Sequence, residues 1–237
     1  MLRINKYIAK SGLCSRRAAE ELITSGKVKV NGKLVTNLAT VINEYNDTVM
    51  VNGKKIMLVT RKIYVMLNKP KGCISTVKDD KGRKTIMDYL QDFEKEKVFP
   101  VGRLDYDTEG LILITNDGDF ANKLTQPSSE VPKTYIANVE GGIEKEDLDT
   151  LRDGIILDGV KLNKSRIKVL KFENNITRLE ITILEGKNRQ IHRMFESIGK
   201  QVIFLKRTMI GDLRLGGLSR GAYRYLTPKE VAMLQKY

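Results

Sequence analysis

The alternation of apolar and polar positions divides the chain into two helical segments, a run of short hairpins and a longer mixed region. Leu2, Ile4, Tyr7 and Ile8 recur at helical spacing. Ala18, Ala19, Leu22 and Ile23 share one face of a second helix, opened by Ser15 and stopped at Gly26. Residues 27–35 then alternate around Asn31-Gly32, and residues 49–56 around Asn52-Gly53. Asn-Gly between alternating residues is the strongest short-range hairpin signal. The pattern predicts a small domain over residues 1–60, a linker at 61–63 and a larger domain over 64–237.

In the larger domain the period changes repeatedly. Residues 64–67 read as a strand ended by Pro70, which lacks a backbone donor. Residues 76–96 read as a loop and a short amphipathic helix carrying Ile86, Met87, Tyr89, Leu90 and Phe93. Leu111, Ile112, Leu113 and Ile114 are too few for a helix and close on Asn116-Asp117-Gly118, so they form a buried strand. Further strands are expected over 131–139, near 155–157 and 167–170, and over 178–183, 202–205 and 223–226. Helices are expected near 120–124 and 143–151, and after 226, where Thr227, Pro228 and Glu230 form a capping box. Ile191, Met194, Phe195 and Ile198 define one helix face. Arg189, Arg193 and Glu196 lie opposite, with His192 on the flank. Lys206-Arg207-Thr208 reads as a basic stretch between two strands. The fold class is α+β: a small helical and hairpin domain, then a mixed, mainly antiparallel sheet with flanking helices.

Charge narrows the function. The 237 residues carry 42 Lys and Arg against 29 Asp and Glu, a net charge of +13. That balance favours a polyanionic partner, through phosphate neutralisation and counterion release. Residues 1–60 alone hold ten basic residues against four acidic ones. Arg16 and Arg17 stand in the first turn of the second helix, where the helix dipole disfavours cations by roughly 0.3–1 kcal/mol each, and phosphate contact is the use that offsets this. No apolar stretch reaches membrane-spanning length and no apolar leader opens the chain, so it reads as cytosolic with no membrane partner. Cys14 and Cys73 lack metal-type spacing and read as reduced thiols. A single histidine argues against a histidine-based metal site.

The chemistry centres on Gly102-Arg103-Leu104-Asp105-Tyr106-Asp107-Thr108-Glu109-Gly110, a charged loop entering the buried strand. With a spacing of two, an extended backbone points Arg103 and Asp105 to one side. This stretch resembles the catalytic motif of RNA pseudouridine synthases, in particular the ribosomal RNA subgroup with an N-terminal S4 domain. Ser15-Arg16-Arg17 and Val28-Lys29-Val30-Asn31-Gly32 resemble the S4 domain itself. The resemblance covers essentially the whole chain and implies the pseudouridine synthase fold. It implies Asp105 as the catalytic residue, Arg103 as the residue that fills the gap left by a flipped uridine, and Tyr135, in a Lys-x-Tyr motif, in the active site. It also implies an RNA surface, and Arg3, Lys6, Arg16, Arg17, Lys27, Lys29, Asn31, Lys69 and Lys187 are assigned to RNA. The family's Lys-Pro motif, here Lys69-Pro70, is mainly structural, and a solvated Lys69 is expected as readily as a phosphate contact.

In the family a basic residue follows the glutamine by two positions; here Gln190 is followed by Ile191 and His192. The cation beside Asp105 is therefore His192, Arg193 or Arg189. Converting uridine to pseudouridine breaks an N-glycosidic bond, turns the base and rejoins it through carbon, and one ionised carboxylate is the minimum equipment. No cofactor and no metal are expected. The partner expected is ribosomal RNA, 23S before 16S, acted on by a monomer. Two readings of other classes remain open: a metal-dependent nuclease using Asp105, Asp107, Glu109, Asp117 and Asp119, and a non-catalytic S4-type ribosome assembly factor.

Overall fold

The computed structural model describes residues 1–93 and 96–237, which fall into two compact units. The first holds residues 1–63, joined by short segments that include Asn116–Gly118; the second holds most of the chain from Tyr64 to Tyr237.

The first unit begins with β1 (Leu2–Arg3), α1 (Ile4–Lys10) and α2 (Arg16–Thr24). Ser15 caps α2 by accepting a hydrogen bond from the Ala18 amide at 3.2 Å. Then follow β2 (Val28–Val30), β3 (Lys33–Val35), β4 (Val41–Ile42), β5 (Val49–Val51) and β6 (Lys54–Lys55). The sheet order is β3-β2-β5-β6, with β1 paired to β4. Asn31 and Gly32 have φ of 50° and 81°, the two positive values that a tight hairpin turn of the favoured hand requires. Ile4, Tyr7, Ile8, Ala19, Ile23, Val28, Val49 and Val51 form a core belonging to this unit alone.

The second unit is built on β7 (Tyr64–Lys69), β8 (Phe99–Val101) and β9 (Glu109–Thr115), followed by α3 (Gly118–Thr125). Next come β10 (Lys133–Glu140), α4 (Lys145–Asp153), the hairpin β11 (Ile156–Leu157) and β12 (Val160–Lys161), then β13 (Arg166–Glu173) and β14 (Ile176–Ile183). It ends with α5 (Gln190–Glu196), β15 (Val202–Ile210), β16 (Leu213–Arg214), β17 (Tyr223–Tyr225) and α6 (Pro228–Leu234). The main sheet runs β13-β14-β10-β15-β9-β7-β17, with β16 on β15 and β8 on β9. Its pairs are antiparallel except β15 with β9, so the sheet is mixed. All seven residues of β9 are buried, as a strand flanked by neighbours and covered on both faces should be. The α+β class expected from the sequence is the class observed.

Two elements differ from the sequence expectation. The helix expected near residues 86–93 is a pair of 3₁₀ turns, Ile86–Tyr89 and Gln91–Phe93, because Thr85 and Asp88 close a capping box around the first turn and Leu90 ends it. The same reading extended over Glu94 and Lys95, which lie outside the described residues. The strand expected over 202–205 continues to Ile210, so Lys206-Arg207-Thr208 is strand rather than connection. Pairing with β10 on one side and β9 on the other satisfies the backbone there, and the Arg207 guanidinium finds a buried carbonyl.

Candidate active site

The loop between β8 and β9 is pinned from beneath. Lys69, the last residue of β7, is fully buried, and its ammonium donates to the carbonyls of Asp105 (3.0 Å), Thr108 (2.9 Å) and Pro70 (3.2 Å). Ser75 Oγ donates to Leu104 O at 2.8 Å and accepts from Leu104 N at 3.0 Å. The Gly72 amide donates to Tyr106 O at 2.9 Å. Burial pushes the Lys69 ammonium below its ordinary pKa, with Cys73, Asp105 and Asp107 pulling the other way. Lys69 was expected to touch RNA phosphate. It cannot, because all three of its protons are spent inside the protein and no part of it reaches solvent.

Above this loop opens a cavity of about 350 Å³, enclosed wholly within the larger unit. Arg103, Asp105, Tyr135, Arg189, His192 and Arg207 all line it. Arg103 is exposed at the rim, and Asp105 is half-buried. Among the described residues the Asp105 carboxylate has no hydrogen bond or ion pair. Tyr135, only 7% exposed, stands on β10 directly opposite Arg207 of β15, and its hydroxyl is 3.5 Å from Arg207 Nη1. The register between the two strands shifts at Thr134/Tyr135, a bulge of the kind that re-aims side chains at a strand's functional end.

Of the three cations expected beside Asp105, Arg189 and Arg193 bind other carboxylates, while His192 shares the cavity with Asp105 and lies near Asp107. Arg189 Nη1 binds Asp107 at 3.1 Å, and His192 Nε2 lies 3.9 Å from the same carboxylate. Burial works to raise the Asp107 carboxyl, but the Arg189 hydrogen bond, with His192 behind it, outweighs burial and holds the group below its usual range. His192 is 7% exposed with Nε2 unbonded; burial first, then Arg189, push its pKa down. Arg193 is corrected outright. It reaches the β11–β12 turn, binding Asp158 at 2.9 and 2.6 Å, and does not line the cavity, because its place on α5 faces away from it.

Sequence reasoning missed Arg207 as a site residue. It is 3% exposed, donates from Nε to Leu111 O at 2.7 Å, and leaves Nη2 buried without a partner. The available signal was a basic residue in a stretch otherwise consistent with a continuing strand. Lys133, on the same strand face as Tyr135, also lines the cavity. Burial, helped by Arg207, lowers its pKa to about 8.

The residues assigned to RNA divide by exposure. Arg3, Arg16, Arg17, Lys27 and Lys29 are exposed on the first unit, and Lys6 is half-buried there. Asn31 is exposed, but its amide donates to Asp47 at 2.8 Å and accepts from Thr48 N at 2.9 Å, which holds the hairpin. Lys187 is half-buried in the cavity wall, 3.7 Å from Glu185. The carboxylates of the metal reading do not converge. Asp107 is held by Arg189 and Glu109 by Arg220 at 3.1 Å, and among the described residues no three metal-ligating side chains cluster.

A half-buried aspartate at the mouth of a cavity walled by a tyrosine and buried cations, on a mixed sheet, in a chain that also holds a small basic unit, defines the class. The chain belongs to the RNA pseudouridylate synthase family, whose model matches residues 63–197, and carries an S4 domain matched over residues 2–44. It is 47% identical over 237 residues to ribosomal large subunit pseudouridine synthase B of Bacillus subtilis, covering 99% of this chain and 96% of that one. An uncharacterized RNA pseudouridine synthase of Aquifex aeolicus is 42% identical over 236 residues, covering 99% and 94%. A solved pseudouridylate synthase, 31% identical, superposes with a TM-score of 0.71 over 99% of this chain and all of that one.

Proposed function

We propose that this enzyme converts a specific uridine of ribosomal RNA to pseudouridine, with the large-subunit 23S RNA as substrate, and that Asp105 performs the reaction. The observation that carries the proposal is the Asp105 carboxylate, fixed by its backbone yet left unbonded at the cavity mouth. An ionised carboxylate there is free either to attack C1′ of the ribose or to take a ribose proton as the base departs. Arg103, exposed at the rim, fills the place vacated in the RNA when the uridine turns into the cavity, a flip that costs a few kcal/mol and that a stacked guanidinium offsets in part. Tyr135 packs against the base. Residues 1–60 form the RNA-gripping module through Arg3, Arg16, Arg17, Lys27 and Lys29, which suits recognition of folded RNA by shape and backbone. The enzyme works as a cytoplasmic monomer. The 47% identity to a large-subunit enzyme over nearly the full chain supports 23S over 16S RNA.

Chemical mapping of pseudouridine in ribosomal RNA from a strain lacking this protein tests the proposal. One 23S position is expected to lose the modification and to regain it with the wild-type protein but not with D105N. An unchanged 23S map, with a loss in 16S RNA or none, would overturn the substrate.

A further inference from the structure

Among the described residues, two cations of the cavity lack an acidic partner. The Arg207 guanidinium is almost fully buried, and among the described residues one of its terminal nitrogens, Nη2, has no hydrogen bond. Lys133 projects from the neighbouring strand into the same cavity, donates to Val131 O at 2.9 Å and, among the described residues, has no carboxylate in an ion pair with it. Two carboxylates line the cavity with them, Asp105 and Glu185. Glu185 is committed to Asn163 N, Gln190 Nε2 and Lys187, while Asp105 belongs to the mouth. Arg189 is spent on Asp107, and burial favours neutral His192. A protein does not bury an unpaired guanidinium N–H without cost, and the cost is greater for a charged donor than for a neutral one. Such a group is balanced when a bound molecule supplies the missing negative charge.

We infer that Arg207, backed by Lys133, is a catalytic electrophile that binds the uracil carbonyl oxygen on which charge collects as the glycosidic bond breaks. This rests on the pseudouridine synthase reading of the same cavity. When the C1′–N1 bond parts, its electron pair stays with uracil and spreads over N1 and the two carbonyl oxygens. C1′ is meanwhile satisfied by Asp105, or by loss of a ribose proton to it. A bond from C5 to C1′ then uses that electron density as the Asp105–C1′ bond breaks, or as Asp105 returns the ribose proton; C5 loses its proton and N1 gains one, so charge and protons balance. Arg207 transfers nothing. Its free Nη2–H meets more negative charge in the transition state than in bound uridine, which is the condition for a hydrogen bond to accelerate a step. The lysine raises the local positive potential without competing for the same oxygen.

The test varies the leaving group. RNA carrying 5-fluorouridine presents a more acidic uracil, which departs with less help; its C5 bears fluorine and has no proton to lose, so the compared step is glycosidic cleavage, read as loss of the target nucleoside. Single-turnover consumption of target uridine by R207K is expected to fall by about 100-fold or more, the usual loss for one oxyanion donor. On 5-fluorouridine RNA the loss should shrink to about tenfold or less. K133M should show the same ordering with a smaller loss on uridine. D105N should fail on both RNAs, and RNA affinity should stay within a few-fold for all three variants. Equal losses on the two RNAs would overturn the inference while leaving the synthase reading intact; a wild-type protein inactive on both would instead remove the reading beneath it. If the melting curve shows R207K unfolded, K133M decides by the same comparison.

Discussion

Gly110 lies against the backbone of Arg207. At φ of 108°, a Cβ on Gly110 would stand 2.2 Å from Arg207 O and 2.8 Å from its nitrogen. The two residues are register partners in the one parallel pair of strands in the sheet, so the glycine that ends the Asp105 loop sets the depth at which Arg207 enters the cavity. G110A therefore strains the backbone and also forces β9 from β15. The expected cost is roughly 2–4 kcal/mol, from overpacking and the unfavourable φ together. Thermal melting should show a clear fall in Tm, and an unchanged Tm would contradict the packing.

Asp105→Asn keeps the shape of the side chain and removes its negative charge. Product formation is expected to drop by more than about 10³-fold, since without the carboxylate neither attack at C1′ nor proton removal is available. RNA affinity should remain within a few-fold in a filter-binding assay, because the Asp105 side chain makes no bond that holds the loop. Substantial turnover by this variant would remove Asp105 from the mechanism.

Lys69→Met leaves two carbonyls of the Asp105 loop, those of Asp105 and Thr108, and the carbonyl of Pro70 without their shared donor. Each unsatisfied group costs about 1–3 kcal/mol, so the expected outcome is a protein that melts markedly lower and has lost turnover. A variant as stable and as active as wild type would show that the ammonium is not what holds the loop.

Stability should fall with acid in two stages. The folded pKa values of His192 and Asp107 both lie below their ordinary values, so the unfolded chain binds protons more readily at both sites. Each group stabilises the fold above its unfolded pKa, and this contribution is lost as pH falls through the folded one. The His192 contribution starts to decline below about 6.5, and that of Asp107 below about 3.8. Urea midpoints measured between pH 7.5 and 5 should decline for wild type and flatten for H192N. A slope unchanged by H192N would assign the proton uptake elsewhere.

Deleting residues 1–60 should weaken RNA binding while the remainder keeps its sheet, because Ile4, Ile8, Ile23 and Val28 make a core of their own and the cavity is built entirely from the other unit. Circular dichroism and filter binding together check this. An unfolded remainder, or unchanged affinity, would contradict the division of labour.

Much of this was legible in the residues because local chemistry dictated local form. Asn31-Gly32 and Asn52-Gly53 turned as their positive φ allows, Ser15 and Thr227 capped their helices, and four consecutive aliphatics became the most buried strand. What was hidden depended on long-range pairing. Arg207 read as a loop cation because nothing nearby in sequence shows that β9 and β10 will flank it, or that Leu111 O, 96 residues away, will accept its Nε proton. Lys69 read as a phosphate ligand for the same reason: its acceptors Asp105 and Thr108 lie 36 and 39 residues on. Arg193 was placed on the correct helix, but its choice of Asp158 follows from where the β11–β12 hairpin falls.

The buried ammonium of Lys69 also provides a reporter. Amine-acylating reagents need an accessible nitrogen with a free lone pair, and this one offers neither while its three hydrogen bonds hold. In a mass-spectrometric labelling series Lys69 should remain silent while the lysines of the first unit react at once. The moment it begins to label dates the opening of the Asp105 turn, without any substrate present.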